Sequence, residues 1–160
     1  MRKKAKNVQT NTAKGKLLTA LGFALVGLCA CQQANCLQFS AVALKKITVI
    51  SKESNEAVIA VRVVFPKTAE LYEKLRTMSS AAYFEQHDAL ANTYPGDFEF
   101  VDIPAVPGQQ TSVKVKLNDF RAMAAIVFVR YDSKGDHRRE IDGRSKKATI
   151  TVNSNSFELA

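Results

Sequence analysis

The residues at positions 58–65, Val-Ile-Ala-Val-Arg-Val-Val-Phe, decide the fold of this chain. In an extended strand, successive side chains point to opposite faces, so this stretch places apolar groups on both faces, and only Arg62 interrupts them. A strand that is apolar on both faces is expected to be buried from both sides. Pro66 stops the strand, because proline has no backbone N–H to donate to a neighbour.

Further strands are predicted on either side of this stretch. Residues 111–117 and 147–152 alternate between apolar and polar side chains, as expected for strands with one solvent-exposed face. Residues 122–131 are almost continuously apolar, which predicts a central strand. The remaining strands are expected at residues 46–50, 98–103 and 138–141, and residues 153–160 either extend the last strand or fray.

A small helical insertion, at about residues 68–91, is predicted after the second strand. Thr68 can cap a first helix, and Ser79 or Ser80 can cap a second helix, in which Ala91 falls on the same side as Tyr83. The polar residues 51–56 are expected to form a hairpin loop, and residues 104–108 a rigid turn. Seven or eight short strands with one helical insertion favour a mainly-β sandwich over a parallel α/β fold.

The N-terminal region has the pattern of a bacterial lipoprotein signal. A basic start is followed by apolar residues 17–30. This run is closed by Leu28-Cys29-Ala30-Cys31, the pattern of a lipobox. We therefore expect residues 1–30 to be a cleaved signal peptide, Cys31 to be lipidated, residues 31–43 to be a tether and residues 44–160 to be the folded domain. Gln32 favours the outer membrane by the sorting rule known for lipoproteins. The alternative is an uncleaved N-terminal anchor helix.

The net charge of +8 is misleading as a sign of nucleic-acid binding. Six basic residues and no acidic residue lie within positions 1–16, so the rest of the chain carries only +2 with mixed signs. No nucleic-acid partner is expected. The three cysteines, Cys29, Cys31 and Cys36, do not supply the four ligands of a closed metal site, and the two histidines are far away in sequence. No metal or other cofactor is expected.

No motif for catalysis is present in the sequence. His87 is followed by Asp88, but adjacent residues on a helix do not face each other. His137 lies in a charged turn, the serines lack the spacing of known nucleophile motifs, and the glycines are scattered through turns. An enzyme that uses His87 or His137 is therefore the weaker alternative. We expect no catalytic residues and no small-molecule substrate, but a protein-binding surface on a loop or on the helical insertion.

The order of these features resembles the outer-membrane lipoprotein of the type VI secretion membrane complex, the TssJ family. Beyond the lipobox, the similarity covers roughly residues 44–140. It is found in Val61-Arg62-Val63, residues 72–75, residues 79–84 (Ser-Ser-Ala-Ala-Tyr-Phe), residues 103–108 (Ile-Pro-Ala-Val-Pro-Gly), residues 113–115 and residues 124–130 (Ala-Ala-Ile-Val-Phe-Val-Arg). The resemblance implies a transthyretin-like β-sandwich. It also implies a non-enzymatic lipoprotein on the periplasmic face of the outer membrane.

The resemblance further implies a partner, the periplasmic domain of a large inner-membrane secretion protein. In the family, the loop between the first two strands docks on this partner, which points to Lys52, Glu53 and Asn55. This loop is often longer in the family, so the contact is expected here or on the helical insertion. A second departure is His137-Arg138, which stands near the place of the family's Trp-Arg. The alternative function is a periplasmic lipoprotein whose sandwich binds an unrelated ligand or protein.

Overall fold

The computed structural model describes residues 41–117 and 119–160. In order along the chain, the elements are β1 (Lys46–Ser51), β2 (Ile59–Pro66), α1 (Ala69–Thr77), α2 (Ser80–Thr93), β3 (Phe98–Ala105), β4 (Gln110–Lys114), β5 (Ala125–Arg130), β6 (Arg138–Ile141), β7 (Lys147–Val152) and β8 (Phe157–Leu159). The predicted signal peptide, the predicted lipidation site Cys31 and most of the predicted tether lie outside the described residues.

The strands form two four-stranded sheets, which we name by their strand order. In the β4-β1-β7-β8 sheet, β1 is antiparallel to β4 and parallel to β7. The β3-β2-β5-β6 sheet is antiparallel throughout. The predicted mainly-β sandwich with a small helical insertion is confirmed, and β5 is a central strand as expected.

The sandwich core lies between the two sheets and is apolar. Val61, Val63 and Phe65 of β2 point into it and are almost completely buried, as are Ile47 and Ile150 from the facing sheet. These residues alternate with outward-facing ones along each strand, which is the pattern expected for an inner face. Burial of this apolar surface is the main force that holds the two sheets together.

A second apolar cluster forms where the two helices cover the outer face of the β3-β2-β5-β6 sheet. Val64 and Phe128 of this sheet pack against Leu71, Leu75 and Tyr83, and all five side chains are fully buried. The helices thus explain why β2 is apolar on both faces.

Both helices begin at capping residues that the sequence marks. The hydroxyl of Thr68 accepts a hydrogen bond from the backbone N–H of Leu71, and that of Ser79 accepts one from the N–H of Ala82. Each cap satisfies a backbone N–H that has no partner inside its helix.

The predicted hairpin at residues 51–56 is wrong. β1 and β2 belong to different sheets, so this loop crosses from one sheet to the other. Alternation along a strand shows which face is buried but not which strand is its neighbour, and both edges of β1 are occupied by β4 and β7.

Other differences from the sequence-based predictions are local. Pro104 and Ala105 continue β3, so the rigid turn begins only after them. The second helix extends to Thr93 and buries Leu90, whereas Ala91 is exposed, because a leucine covers more of the sheet than an alanine can. Residues 153–160 neither extend β7 nor fray, since β8 turns back and pairs with β7.

The strand directions create two ends of the sandwich. The β1–β2, β3–β4, β5–β6 and β7–β8 connections lie at one end, which we call the loop end, where the N–H of Lys52 bonds to the carbonyl of Val152. Residue 45, at which the chain enters β1, lies at the opposite end, which we call the entry end. There, the backbone of Lys45 bonds to both Val115 and Lys146.

Candidate partner-binding surfaces

The β1–β2 loop, which carries the three predicted partner-binding residues, is held in place by a buried amide. The side chain of Asn55 is 4% exposed, and its Nδ2 donates to Ser51 Oγ at 2.8 Å and to the carbonyl of Val152 at 3.1 Å. Lys52 and Glu53 are exposed. The three predicted residues therefore differ in their surroundings. Lys52 and Glu53 are available at the surface, whereas Asn55 holds the loop against β7.

Neighbouring turns support this loop from both sides. The side chain of Glu53 lies over Gly108, where an added Cβ would come within 3.1 Å of Glu53 Cγ. Gly108 also has a φ of +70°, a conformation that glycine adopts without strain. On the other side, Ser154 Oγ donates to the carbonyl of Ser54 at 3.2 Å. The loop end is thus one continuous surface built from several connections.

An open cleft of about 710 Å³ lies beside the β1–β2 loop. Its other walls are the residues that follow β5 and the turn between β7 and β8. Tyr131 closes one side: its hydroxyl donates to the carbonyl of Ser156, and its ring centroid lies 4.6 Å from that of His137. Burial raises the pKa of Tyr131 to about 12, so this hydroxyl remains protonated as a structural donor.

A polar and aromatic cluster, which the sequence analysis did not predict, lies on the outer face of the β3-β2-β5-β6 sheet. Arg62 makes two hydrogen bonds to the carboxylate of Asp102, directly opposite on β3. Its guanidinium carbon lies 4.3 Å from the ring centroid of Phe100 and 5.6 Å from that of Phe84. Arg62 is the only charged residue within the apolar stretch 58–65, and it is the feature of the sequence that could have indicated this cluster.

Tyr83 and His87 complete this cluster from helix α2. The Tyr83 ring stacks on Phe128 with centroids 4.2 Å apart, and its hydroxyl lies 3.2 Å from His87 Nδ1. Burial raises the pKa of Tyr83 to about 12 despite the opposing effect of Arg62. Burial and, to a smaller extent, the positive charge of Arg62 lower the pKa of His87. His87 is thus a half-buried member of an aromatic cluster.

An open pocket of about 310 Å³ borders the Arg62 cluster. Its lining is both apolar and charged: Phe84 and Pro104 contribute to it together with Arg62, Asp102 and Arg130. Two large apolar side chains of this region are exposed: Val58, which is 58% accessible, and Phe100, which is 43% accessible. This surface is a second candidate for binding a partner.

The described residues give no indication of a metal site. Within residues 41–117 and 119–160, no three histidine, cysteine, aspartate or glutamate side chains are close enough to hold a metal ion. His87 and His137 lie in separate clusters and the three cysteines are outside the described residues. In the same part of the chain, no helix is both long and apolar enough to cross a membrane.

These features define a class of protein: a β-sandwich with helices on one sheet and a polar, loop-built end opposite the point of chain entry. No protein-family model and no curated protein sequence matches the chain. Solved structures do match its fold.

The similar structures come from type VI secretion systems. The lipoprotein TssJ1 from Pseudomonas aeruginosa is 15% identical with a TM-score of 0.54, over 73% of this chain and 95% of that chain. Serratia marcescens Lip, described as a membrane-bound component of the system, is 13% identical with a TM-score of 0.50, over 72% and 94%. A chain of the structure described as the TssM C-terminal domain from EAEC is 17% identical with a TM-score of 0.55, over 72% and 96%. The resemblance to the TssJ family is confirmed in the fold.

Proposed function

We propose that this protein is an outer-membrane lipoprotein that holds a periplasmic segment of the type VI secretion membrane complex. The observation that supports this most is the shared fold, which spans 94–96% of solved chains from that system. The lipobox ending at Cys31 supports the same function independently, because it is a feature of the sequence and not of the fold. The mechanism is tethering, and it requires no bond-making step.

In this proposal, the anchor precedes the sandwich in the chain and the partner binds at the loop end. Acyl chains on Cys31 would hold the N-terminus at the membrane, each buried CH₂ contributing about 0.8 kcal/mol, so that several chains give durable attachment. The chain then enters the sandwich at residue 45, and the six residues of β1 lead to the loop end about 20 Å away. A tethered loop end raises the effective concentration of a partner near the membrane.

The partner-binding contact is assigned to Lys52 and Glu53, with Asn55 as the residue that positions them. Both charged side chains project from a loop that is bonded to Val152 of β7 by the backbone N–H of Lys52 and by the side-chain amide of Asn55. A loop that is already ordered loses little conformational freedom when it binds, which favours affinity. The second location for this contact is the helical insertion, whose exposed residues include Glu73 and Lys74.

A pull-down from detergent-solubilised membranes tests the function and separates the two locations. The wild-type protein should recover a large inner-membrane secretion protein. The charge swap Lys52→Glu with Glu53→Lys should lower recovery about tenfold, because swapped charges repel the groups they previously attracted. The matched swap of an adjacent pair on α1, Glu73→Lys with Lys74→Glu, should leave recovery unchanged. Loss with the α1 swap alone would place the contact on the helical insertion, and no recovery by the wild type would refute the secretion role.

Lipidation is tested separately with a fatty-acid analogue. Cys31→Ala should abolish labelling and release the protein into the soluble fraction, whereas Cys36→Ala should do neither. Mass spectrometry of the mature N-terminus checks the cleavage directly. A Cys31→Ala protein that stays labelled would assign the lipid to another cysteine, and one that stays membrane-bound without label would indicate an uncleaved helix.

A further inference from the structure

Six exposed lysines surround the entry end of the β4-β1-β7-β8 sheet, and we call them the basic rim. They come from three neighbouring strands and the residues next to them: Lys45, Lys46, Lys114, Lys116, Lys146 and Lys147. Within residues 41–117 and 119–160, none of the six forms an ion pair with a carboxylate. The rim therefore presents uncompensated positive charge to solvent.

The strand register places three of these lysines side by side. Lys46 is directly opposite Lys114 on one neighbour and Lys147 on the other, so all three point to the outer face of the sheet. Like charges directly opposite each other destabilise a sheet. The next row of the same face has no charged side chain: Thr48 and Ser112 join their hydroxyl groups at 3.0 Å, and Thr149 lies beside Thr48 on β7.

The segments that carry the rim differ strongly in charge from the rest of the domain. Residues 45–46, 114–121 and 142–147 carry eight basic and two acidic side chains, a net charge of +6. All other residues from 41 to 160 carry nine basic and thirteen acidic side chains, a net charge of −4. The overall charge of +2 conceals this separation. A partner of the rim must be an extended negative surface, because the lysines are spread across three strands.

We propose that the basic rim binds the anionic phospholipid head groups of a membrane surface. The position of the rim argues for a bilayer: its lysines lie at the end of the sheet where the chain enters β1, and only ten residues separate Val42 from Cys31. An anionic surface attracts each nearby lysine, and the attraction falls off within about 10 Å at moderate salt. The rim would orient the sandwich with its loop end directed away from the bilayer. The proposal rests on the predicted lipid anchor in one respect: the anchor determines which side of the sandwich faces the membrane.

The test uses the full-length lipidated protein in liposomes of phosphatidylcholine, with and without phosphatidylglycerol. Mass spectrometry measures how fast an amine reagent modifies each lysine. The rim lysines should react about fivefold more slowly when phosphatidylglycerol is present, and molar salt should abolish the difference. Lys52, Lys74 and Lys134, which lie elsewhere on the domain, should react equally in both liposomes.

Matched variants show whether the lysines act together. The triple replacement of Lys46, Lys114 and Lys147 by glutamine should abolish the protection of Lys116 and Lys146. Replacement of Lys52, Lys74 and Lys134 by glutamine changes the net charge equally and should preserve that protection. Equal protection in both liposomes, or none in either, would overturn the proposal. Protection that appears only when an acidic membrane protein is added to the liposomes would also overturn it. Flotation with the neutral liposomes reports the lipid anchor separately.

Discussion

The two faces of the β3-β2-β5-β6 sheet are both buried, yet they are built differently. The inner face packs apolar side chains such as Val63 and Phe65 against a second sheet. The outer face packs Val64 and Phe128 against two helices, and it also includes Arg62, which is paired with Asp102. Both faces come from the same strands. Whether a face can include polar groups therefore depends on what covers it, a second sheet or two helices.

This difference shows that a covering layer of helices can leave room for a charged side chain, whereas a covering sheet does not. Two helices leave one end of β2 and β3 open, and there the Arg62 side chain can stack on aromatic rings while its charge meets an exposed carboxylate. A second sheet covers the strands along their length, and a charge there would be buried without water. We therefore expect the inner face to resist substitution most strongly.

The largest effect is expected for Phe65→Ala on the inner face, compared with Phe128→Ala on the outer face. Both side chains are fully buried, so each truncation removes the same apolar group. The free energy of unfolding, measured by urea denaturation, should fall by about 3–5 kcal/mol for Phe65→Ala. The loss for Phe128→Ala should be smaller, because helices can shift into a cavity more easily than a paired strand can.

An equal or larger loss for Phe128→Ala would show that the helical layer is as rigid as the facing sheet. Val63→Ala and Val64→Ala repeat this comparison with adjacent, fully buried residues of β2 and serve as the control.

A smaller effect is expected when Arg62 is replaced by lysine. Lysine keeps the charge but cannot make the paired hydrogen bonds to Asp102 or stack in the same way on Phe100. The free energy of unfolding should fall by about 1 kcal/mol, since the Asp102 carboxylate is 53% exposed and solvent weakens the pair. The matched control is Arg76→Lys on α1, whose pair with Glu73 is exposed on both sides and should have almost no effect. A loss as large for Arg76→Lys would contradict a special role for the outer-face cluster.

The smallest effect is a pH dependence that arises from His87. Because burial and Arg62 lower its pKa below 6.5 in the folded state, protonation favours the unfolded state. Stability should therefore be complete above the unfolded-state pKa of about 6.5 and should decrease slightly as the pH falls towards the lower pKa of the folded state. Urea denaturation of the wild type and of His87→Gln measures this, and the variant should lack that part of the pH dependence.

NMR titration locates the cause of this shift. In an Arg62→Gln protein, the pKa of His87 should move part of the way back towards its ordinary value, because the positive charge is removed and burial remains. An unchanged titration in that protein would exclude any electrostatic contribution from Arg62.

The sequence determines the inner face more completely than the outer one. Alternation at residues 58–65 and the apolar run near residue 126 predicted the central strands. Thr68 predicted where the first helix begins, and the sequence left Ser79 and Ser80 open for the second, which begins after Ser79. The pairing of β1 with β7 could not be predicted, because it joins residues about a hundred positions apart without a connecting turn. The cluster of Arg62, Asp102 and His87 depends on the same kind of distant contact.

The predicted partner-binding residues show the same limit. Polarity alone placed Lys52, Glu53 and Asn55 together on an exposed loop. Asn55 turns inward and donates to Ser51 and to the carbonyl of Val152, and that carbonyl comes from the far end of the chain.

The position of β1 has a mechanical consequence. β1 is the first strand of the domain, yet it lies between β4 and β7 and forms backbone hydrogen bonds with both. A pull on residue 45 along the strand direction loads these transverse bonds in shear, so they must break together and not one at a time. An edge strand at this position would resist the pull with one set of backbone hydrogen bonds, whereas β1 resists it with two. The first strand of the described domain is thus held from both sides against tension applied where the chain enters β1.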